Sequence, residues 1–277
     1  LRVIDPILTT AYITRDHGYM VYDTLVATDS NFKIEPQMAD WKVSDDKLTY
    51  TFTLRDGLKW HDGTPVTAED CVASLKRWGR NDGMGQKLMD FTASLEAPDA
   101  KTIVLKLKEP YGLVLESIGK PSSLVPFMMP KRLAETPQGQ QIPEQIGSGP
   151  FKFVKYERGQ YIIADRNPDY WRPNAPYLDR IVWKVITDRA AAAAQMEAGE
   201  LHYSPFSGLT ISDMARLGKD KRFIVSTKGN EGNARTNTIE FNFRRKELSD
   251  IRVRRAIAHA INVPFFIENF LGDFAKL

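Results

Sequence analysis

The seven residues Leu48-Thr49-Tyr50-Thr51-Phe52-Thr53-Leu54 alternate apolar side chains with threonine without a break. Successive side chains of a strand point to opposite faces, so this is the pattern of a half-buried β-strand, one face on a core and one in water. Trp41-Lys42-Val43-Ser44 precedes it across the polar pair Asp45-Asp46, and Arg55-Asp56-Gly57 closes it. That bracketing predicts a hairpin. Farther on, Thr67 stands three residues before Asp70 and ahead of the apolar positions Val72, Leu75 and Trp78. A hydroxyl, a carboxylate at that offset and an apolar face predict an N-capped helix.

The same reasoning places the other elements. Residues 1–4 read as a strand ended by Asp5-Pro6, and Tyr19, Met20, Tyr22, Asp23 and Leu25 give a helical spacing from Arg15 to Leu25. Strands are expected at 93–97 and 102–107 with a Pro98-Asp99 turn between them, short helices at 110–118 and near Lys131, and an apolar, Met-rich segment at 125–130. Residues 137–149, rich in Gln, Gly and Pro, read as a linker. Beyond it come strands at 151–157 and 160–166 and a β-branched run at 181–186 that suits a buried strand. An alanine-rich helix opens at Asp188 and ends at Gly199, strands follow at 223–226 and 238–243, and a helix covers 250–262. Hairpins dominate from Trp41 to Leu107, whereas strands and helices alternate later. The mixture predicts an α/β lobe carrying an inserted α+β subdomain.

Composition narrows the function. With 42% hydrophobic and 26% charged residues and a net charge of +3, the chain can bury a core and carries both signs interspersed. Arg244-Arg245-Lys246, soon joined by Arg252, Arg254 and Arg255, is the densest basic cluster and fits solvated helix ends better than a nucleic-acid patch. No run approaches the roughly 18 apolar residues of a membrane span. The first residues carry no charged-then-apolar leader, so a mature or trimmed chain is expected. The lone Cys71 excludes an internal disulfide and sits in the predicted helix as a packing residue. His17, His61, His202 and His259 are scattered without metal-ligand spacing, and neither a metal site nor a cofactor is expected.

Gly147-Ser148-Gly149-Pro150 has no lysine after it and leads into a β-run, so it reads as a strand-entry turn and not a phosphate loop. Gly229-Asn230-Glu231-Gly232-Asn233 lacks the dinucleotide fingerprint. Asp45-Asp46 and Glu69-Asp70 fit turns and helix caps better than acid–base work, and no nucleophile with a base is visible. Trp41, Trp60, Trp171 and Trp183 read as packing residues. Tyr12 differs: it follows a strand end and two threonines, outside any periodic pattern, where ligands of α/β lobes gather.

Three segments together resemble the extracellular solute-binding proteins of family 5, the peptide, nickel and oligosaccharide receptors of ABC importers. One is Trp41-Lys42-Val43-Ser44 through Leu54-Arg55-Asp56-Gly57-Leu58-Lys59-Trp60-His61-Asp62-Gly63-Thr64-Pro65-Val66-Thr67-Ala68-Glu69-Asp70. Another is Gly147-Ser148-Gly149-Pro150-Phe151-Lys152-Phe153 with Arg166-Asn167-Pro168-Asp169-Tyr170-Trp171. The last is Asp250-Ile251-Arg252-Val253-Arg254-Arg255-Ala256-Ile257-Ala258-His259-Ala260-Ile261-Asn262.

The resemblance implies a lobe of the type II periplasmic binding proteins and a receptor that closes its two lobes on a solute by hinge motion. It divides the chain into a parent α/β domain (1–34 plus 147–243), an inserted α+β subdomain (35–146) and the start of a second lobe (244–277). The strand 239–243 would be the crossover, and most of the second lobe would lie outside these residues, since family members are nearly twice as long. Thr10, Ala11 and Tyr12 match the segment that lines the cleft from the first lobe. Met84 and Gly85 match a loop of the insertion that approaches the ligand, and Phe127 belongs to the Met-rich segment that does likewise. The implied protein is a monomeric, non-enzymatic receptor in the periplasm, or membrane-anchored outside a cell without an outer membrane. Its implied partners are a peptide or other small polar solute and the permease subunits of an ABC transporter. The same module also serves as the ligand sensor of regulatory proteins, and these residues leave that alternative open.

Overall fold

The computed structural model describes residues 2–205, 208–226, 228 and 238–271. They divide into two compact units, 1–185 and 186–277.

In the first unit the expected opening strand is absent: residues 2–4 pair with no neighbour in a ladder, and Leu1 lies outside the described residues. Helix α1 (Tyr12–Val21) starts and ends earlier than its apolar spacing suggested. It stops because Tyr22 returns to extended backbone with its N–H on the Gly18 carbonyl, and because Asp23 Oδ1 accepts the Thr24 N–H at 2.9 Å. A short carboxylate that bonds its neighbouring backbone competes with helix continuation. Leu25 then enters the core, fully buried, ahead of β1 (Val26–Thr28) and β2 (Ile34–Pro36). Asp29 Oδ1 closes that hairpin by accepting from the N–H groups of Asn31 and Lys33.

The predicted hairpin forms as β3 (Ala39–Val43) and β4 (Thr49–Leu54), with Trp41 opposite Phe52. Helix α2 (Ala68–Asn81) follows with both halves of its capping box made by Thr67 and Asp70. Asp82 ends α2 and, accepting from Met84 and Gly85, starts α3 (Gly83–Phe91), a helix the sequence reading missed. Strands β5 (Thr92–Glu96) and β6 (Thr102–Leu107) complete an antiparallel four-stranded sheet in the order β3-β4-β6-β5. Phe52, Ile103 and Leu105 fill its inner face, each at most 1% exposed. Burial of such side chains stabilises by ~1.5–3 kcal/mol each. Cys71, Leu75 and Trp78 of α2 join the same core. Short helices α4 (Val114–Ile118) and α5 (Lys131–Ala134) flank the buried Met-rich segment.

Strands β7 (Phe151–Glu157), β8 (Tyr161–Arg166) and β9 (Arg180–Lys184) make a separate three-stranded antiparallel sheet. The β7–β8 register slips between Phe153 and Lys155, a bulge at Val154. Sequence spacing had suggested that 181–186 is a buried strand. Here β9 pairs with β8 alone, and alternate residues, Val182 among them, face water. The opposite face packs on α1, where the His17 ring stands edge-on to Phe153 and Trp183 at 5.9 and 6.1 Å between centroids.

In the second unit the alanine-rich helix is α6 (Arg189–Glu197), N-capped by Asp188 as expected. It is followed by α7 (Ile211–Leu217), α8 (Lys246–Ser249), α9 (Ile251–Ala260) and α10 (Val263–Phe266), with a π-turn at Ile267–Leu271. Asp250 caps α9 by accepting the Arg252 N–H at 2.8 Å. The strands expected at 223–226 and 238–243 do not form. Among the described residues no strand offers them ladder partners, and extended backbone without partners stays in water. The Gly229–Asn233 stretch lies outside the described residues.

Candidate functional site

On α1, Tyr12, Arg15, Asp16 and Tyr19 recur at the spacing that puts them on one helix face. Tyr12 is the first residue of this helix, not a loop residue, and is 42% exposed. The Arg15 guanidinium lies 4.7 Å above the Tyr12 ring centroid, within cation–π range. Its Nη1 donates to Ser122 Oγ at 3.3 Å, and Nη2 stands 3.5 Å from Asp16 Oδ1. Burial draws the Asp16 carboxyl above the usual range despite the neighbouring cation. Tyr19 donates its phenol proton to the Pro121 carbonyl at 2.8 Å. The stripe therefore holds the loop 119–123 against α1.

From that loop the network reaches α3. Lys120 Nζ lies 2.7 Å from Asp82 Oδ2, and Asp82 Oδ1 accepts the Met84 and Gly85 N–H groups, both at 3.0 Å. Met84 and Gly85 thus sit in a helical first turn held by a buried carboxylate, where a loop had been expected. Gly85 is withdrawn from water: a Cβ there would lie 3.0 Å from Gly79 Cα and 3.1 Å from the Trp78 ring. Phe127 is also fully buried. Its ring meets Tyr19 edge-on at 5.1 Å and Tyr22 at 5.9 Å, so it props the stripe from below.

Thr10 and Ala11 precede the helix and are exposed. Ala11 accepts the Thr14 and Arg15 N–H groups on its carbonyl, and no side chain caps α1. With Arg2, Val3, Thr9, Ile13 and Val185, Ala11 lines an open depression of about 330 Å³. Of the six residues singled out from sequence, Thr10, Ala11 and Tyr12 share one end of α1 and Met84 reaches it through the Lys120 loop. Phe127 packs beneath Tyr19, whereas Gly85 lies against Gly79 and Trp78 of α2. Arg15, Asp16 and Ser122 were missed, although the 12-15-16-19 spacing carried the signal for the first two.

Two buried polar arrangements fix the frame. Asp23 Oδ2 accepts from Trp171 Nε1 at 2.6 Å and from the Tyr170 hydroxyl at 3.3 Å, beside a cavity of about 160 Å³ also lined by Thr24, Gln37 and Arg172. Burial raises the Asp23 carboxyl above its ordinary value. The guanidinium carbons of Arg55 and Arg172 lie 4.9 and 5.0 Å from the Trp171 ring centroid. Separately, His61 Nε2 contacts the Gly149 carbonyl at 2.9 Å, and the Gly147 N–H donates to His61 Nδ1 at 3.4 Å. Burial lowers this imidazole to about 4.

Among the described residues no cluster of three or more His, Cys, Asp or Glu could hold a metal ion, and no helix is long and apolar enough to cross a membrane.

Residues 33–277 match the family model of the bacterial extracellular solute-binding proteins, family 5 Middle. A probable peptide ABC transporter periplasmic-binding protein of Sinorhizobium fredii is 37% identical over 99% of this chain, which covers 53% of that relative. Among solved structures, the periplasmic binding protein DppA of Helicobacter pylori in complex with the peptide STSA is 27% identical, with a TM-score of 0.78 over 99% of this chain and 57% of that one. NikZ of Campylobacter jejuni in complex with Ni(L-His) is 25% identical, with a TM-score of 0.76 over 100% of this chain and 54% of that one. The chain thus spans about half the length of the relatives it matches, 53% in the Sinorhizobium case. It belongs to the bacterial extracellular solute-binding proteins of family 5.

Proposed function

We propose that these residues form the solute-facing first lobe of the binding component of an ABC importer. The complete receptor captures a peptide-like or other small polar solute in the periplasm, performs no covalent chemistry on it, and delivers it to the membrane permease. The observation that carries this reading is the 37% identity, across nearly the whole chain, with a probable peptide ABC transporter periplasmic-binding protein. Thr10, Ala11, Tyr12 and Met84 face the solute in this reading, with Gly85 beside Met84 in the first turn of α3 and Phe127 packed behind Tyr19. In this reading residues 1–34 and 147–243 are the parent domain, 35–146 the insertion and 244–277 the first part of the second lobe, and the receptor works as a monomer.

Thermal melting of the full-length protein against short peptides, glutathione, nickel–histidine and opines tests it. A rise in Tm with one class and not the others is expected. A panel without any shift, measured on protein that melts cooperatively, overturns the reading.

A further inference from the structure

Trp171 carries two cations. The guanidinium carbons of Arg55 and Arg172 lie 4.9 and 5.0 Å from its ring centroid, and both side chains converge on Gln37. Arg55 donates its Nε–H to the Gln37 carbonyl, and Arg172 donates from Nη2 to Gln37 Oε1. Those acceptors are neutral, and an aromatic face orients a charge without cancelling it. Among the described residues neither guanidinium pairs with a carboxylate. Elsewhere in this unit comparable cations sit directly on their acids: Arg77 lies 2.6 Å from Asp5 and Lys120 lies 2.7 Å from Asp82. Asp23 stands at the indole edge, where its oxygens accept from Trp171 Nε1, the Tyr170 hydroxyl and the Thr24 N–H. Two like charges drawn onto one ring and one glutamine repel each other, and a shared anion relieves that repulsion.

We infer that Arg55 and Arg172 form an oxyanion site that takes a carboxylate or phosphate group, with Gln37 and Trp171 holding the two forks in position. A guanidinium has five N–H donors, and each of these spends one on Gln37. The planar fork matches either oxyanion through paired N–H bonds, which lysine cannot reproduce. Arg55 and Trp171 are half-buried and Arg172 is exposed, so an anion reaches the site from solvent. Asp23 follows α1 at one end and Tyr12 opens it at the other, ten helical residues or ~15 Å away. The site is therefore separate from the residues read above as solute-facing, and it does not depend on that reading.

Calorimetric titration of the full-length protein with sodium acetate and with sodium phosphate, in sodium chloride at matched ionic strength, separates the two oxyanions. Wild type is expected to bind at least one of them saturably. Arg172→Gln and Arg55→Gln are each expected to weaken that binding by about tenfold or more, the scale of a charged hydrogen bond. Arg172→Lys is expected to fall between, since it keeps a charge and loses the fork. Arg180→Gln, which removes an exposed arginine paired with Asp165, is expected to bind as wild type does. Unliganded melting shows which variants keep the fold, and the lysine variant keeps the test open if a glutamine variant does not. Wild type that binds neither anion beyond the chloride background overturns the site. So does a folded Arg172 variant that binds as tightly as wild type, which would leave the two arginines only to clasp Trp171.

Discussion

Asp5 Oδ2 and Arg77 Nη2 lie 2.6 Å apart, both side chains at most 3% exposed, and they join the N-terminal segment to the middle of α2. Arg77 also donates to the Thr136 and Gln140 carbonyls at 2.8 and 3.0 Å, and Asp5 accepts the Ile142 N–H at 3.1 Å. One ion pair thus gathers three stretches of chain. Removing one partner strands a buried charge, so Asp5→Ala or Arg77→Ala should each cost ~3–5 kcal/mol. The double variant should cost clearly less than the sum, because the second deletion removes the stranded charge. Urea unfolding of the four proteins measures this. Strict additivity would show that the two groups act independently.

Asp70 does more than its sequence position suggests. Its Oδ2 accepts from the Thr67 N–H at 2.9 Å and from Trp60 Nε1 at 3.2 Å, and its Oδ1 accepts the Lys131 N–H at 2.7 Å. Thr67→Ala removes one cap and should cost ~1 kcal/mol. Asp70→Ala takes the acceptor from these three donors and from the Thr67 hydroxyl, and should cost ~2–4 kcal/mol, since hydrogen bonds to a charged group contribute ~1.5–3 kcal/mol each and the exposed Lys131 N–H can turn to water. Equal losses in chemical denaturation would contradict this ranking.

Two buried imidazoles set an acid limit on stability. Burial lowers both His17 and His61 from 6.5 to about 4. Between those values the unfolded chain binds protons that the folded chain refuses, so stability is complete above pH 6.5 and falls as pH drops toward 4. Each group adds up to ~1.4 kcal/mol per pH unit to that slope. His61→Gln is expected to destabilise at pH 7 and to flatten the slope. An unchanged slope in melting curves from pH 7 to 4 would show that His61 accepts a proton in the fold.

Two positions of the segment gripped by His61 admit no side chain. A Cβ on Gly147 would lie 2.1 Å from the Val21 carbonyl oxygen, and one on Gly149 would lie 2.7 Å from the Val21 carbonyl carbon. Backbone cannot yield as a side-chain tip can, so Gly147→Ala and Gly149→Ala should each lose at least ~2 kcal/mol. Gly83, with nothing within 4 Å of its built Cβ, is the control. Gly83→Ala should be neutral or stabilise by up to ~1 kcal/mol. Midpoints of urea unfolding decide the matter.

Much of this was legible in sequence where one local signal decided the outcome. The alternation from Leu48 to Leu54 and the Thr67–Asp70 pair each name an element and the face it buries, and β4 and α2 follow. Helix α3 was not legible, because Gly83-Met84-Gly85 reads as a turn and only Asp82, anchored by Lys120, makes it a helix. The absent strands at 223–226 and 238–243 fail for the converse reason: β-propensity is present, but a strand exists only through a partner. In the site, Tyr12 stood out by being aperiodic and proved to be the start of a helix. Phe127 could be placed in a segment but not on a side of it, because burial of an apolar run is set by what packs over it.

At Val154 the chain is one residue longer than its partner strand needs. Phe153 and Tyr156 stand three positions apart, an odd spacing, yet pair with Ala164 and Ile162 on one face of β8, because the bulge absorbs the break. Excising Val154 would leave every flanking residue on the side it now occupies, whereas excising Lys155 or Phe153 would not leave the same side chains in place. Length variation among descendants of this sequence therefore has one cheap position in β7, and an in-frame loss there is a silent edit to the sheet's parity.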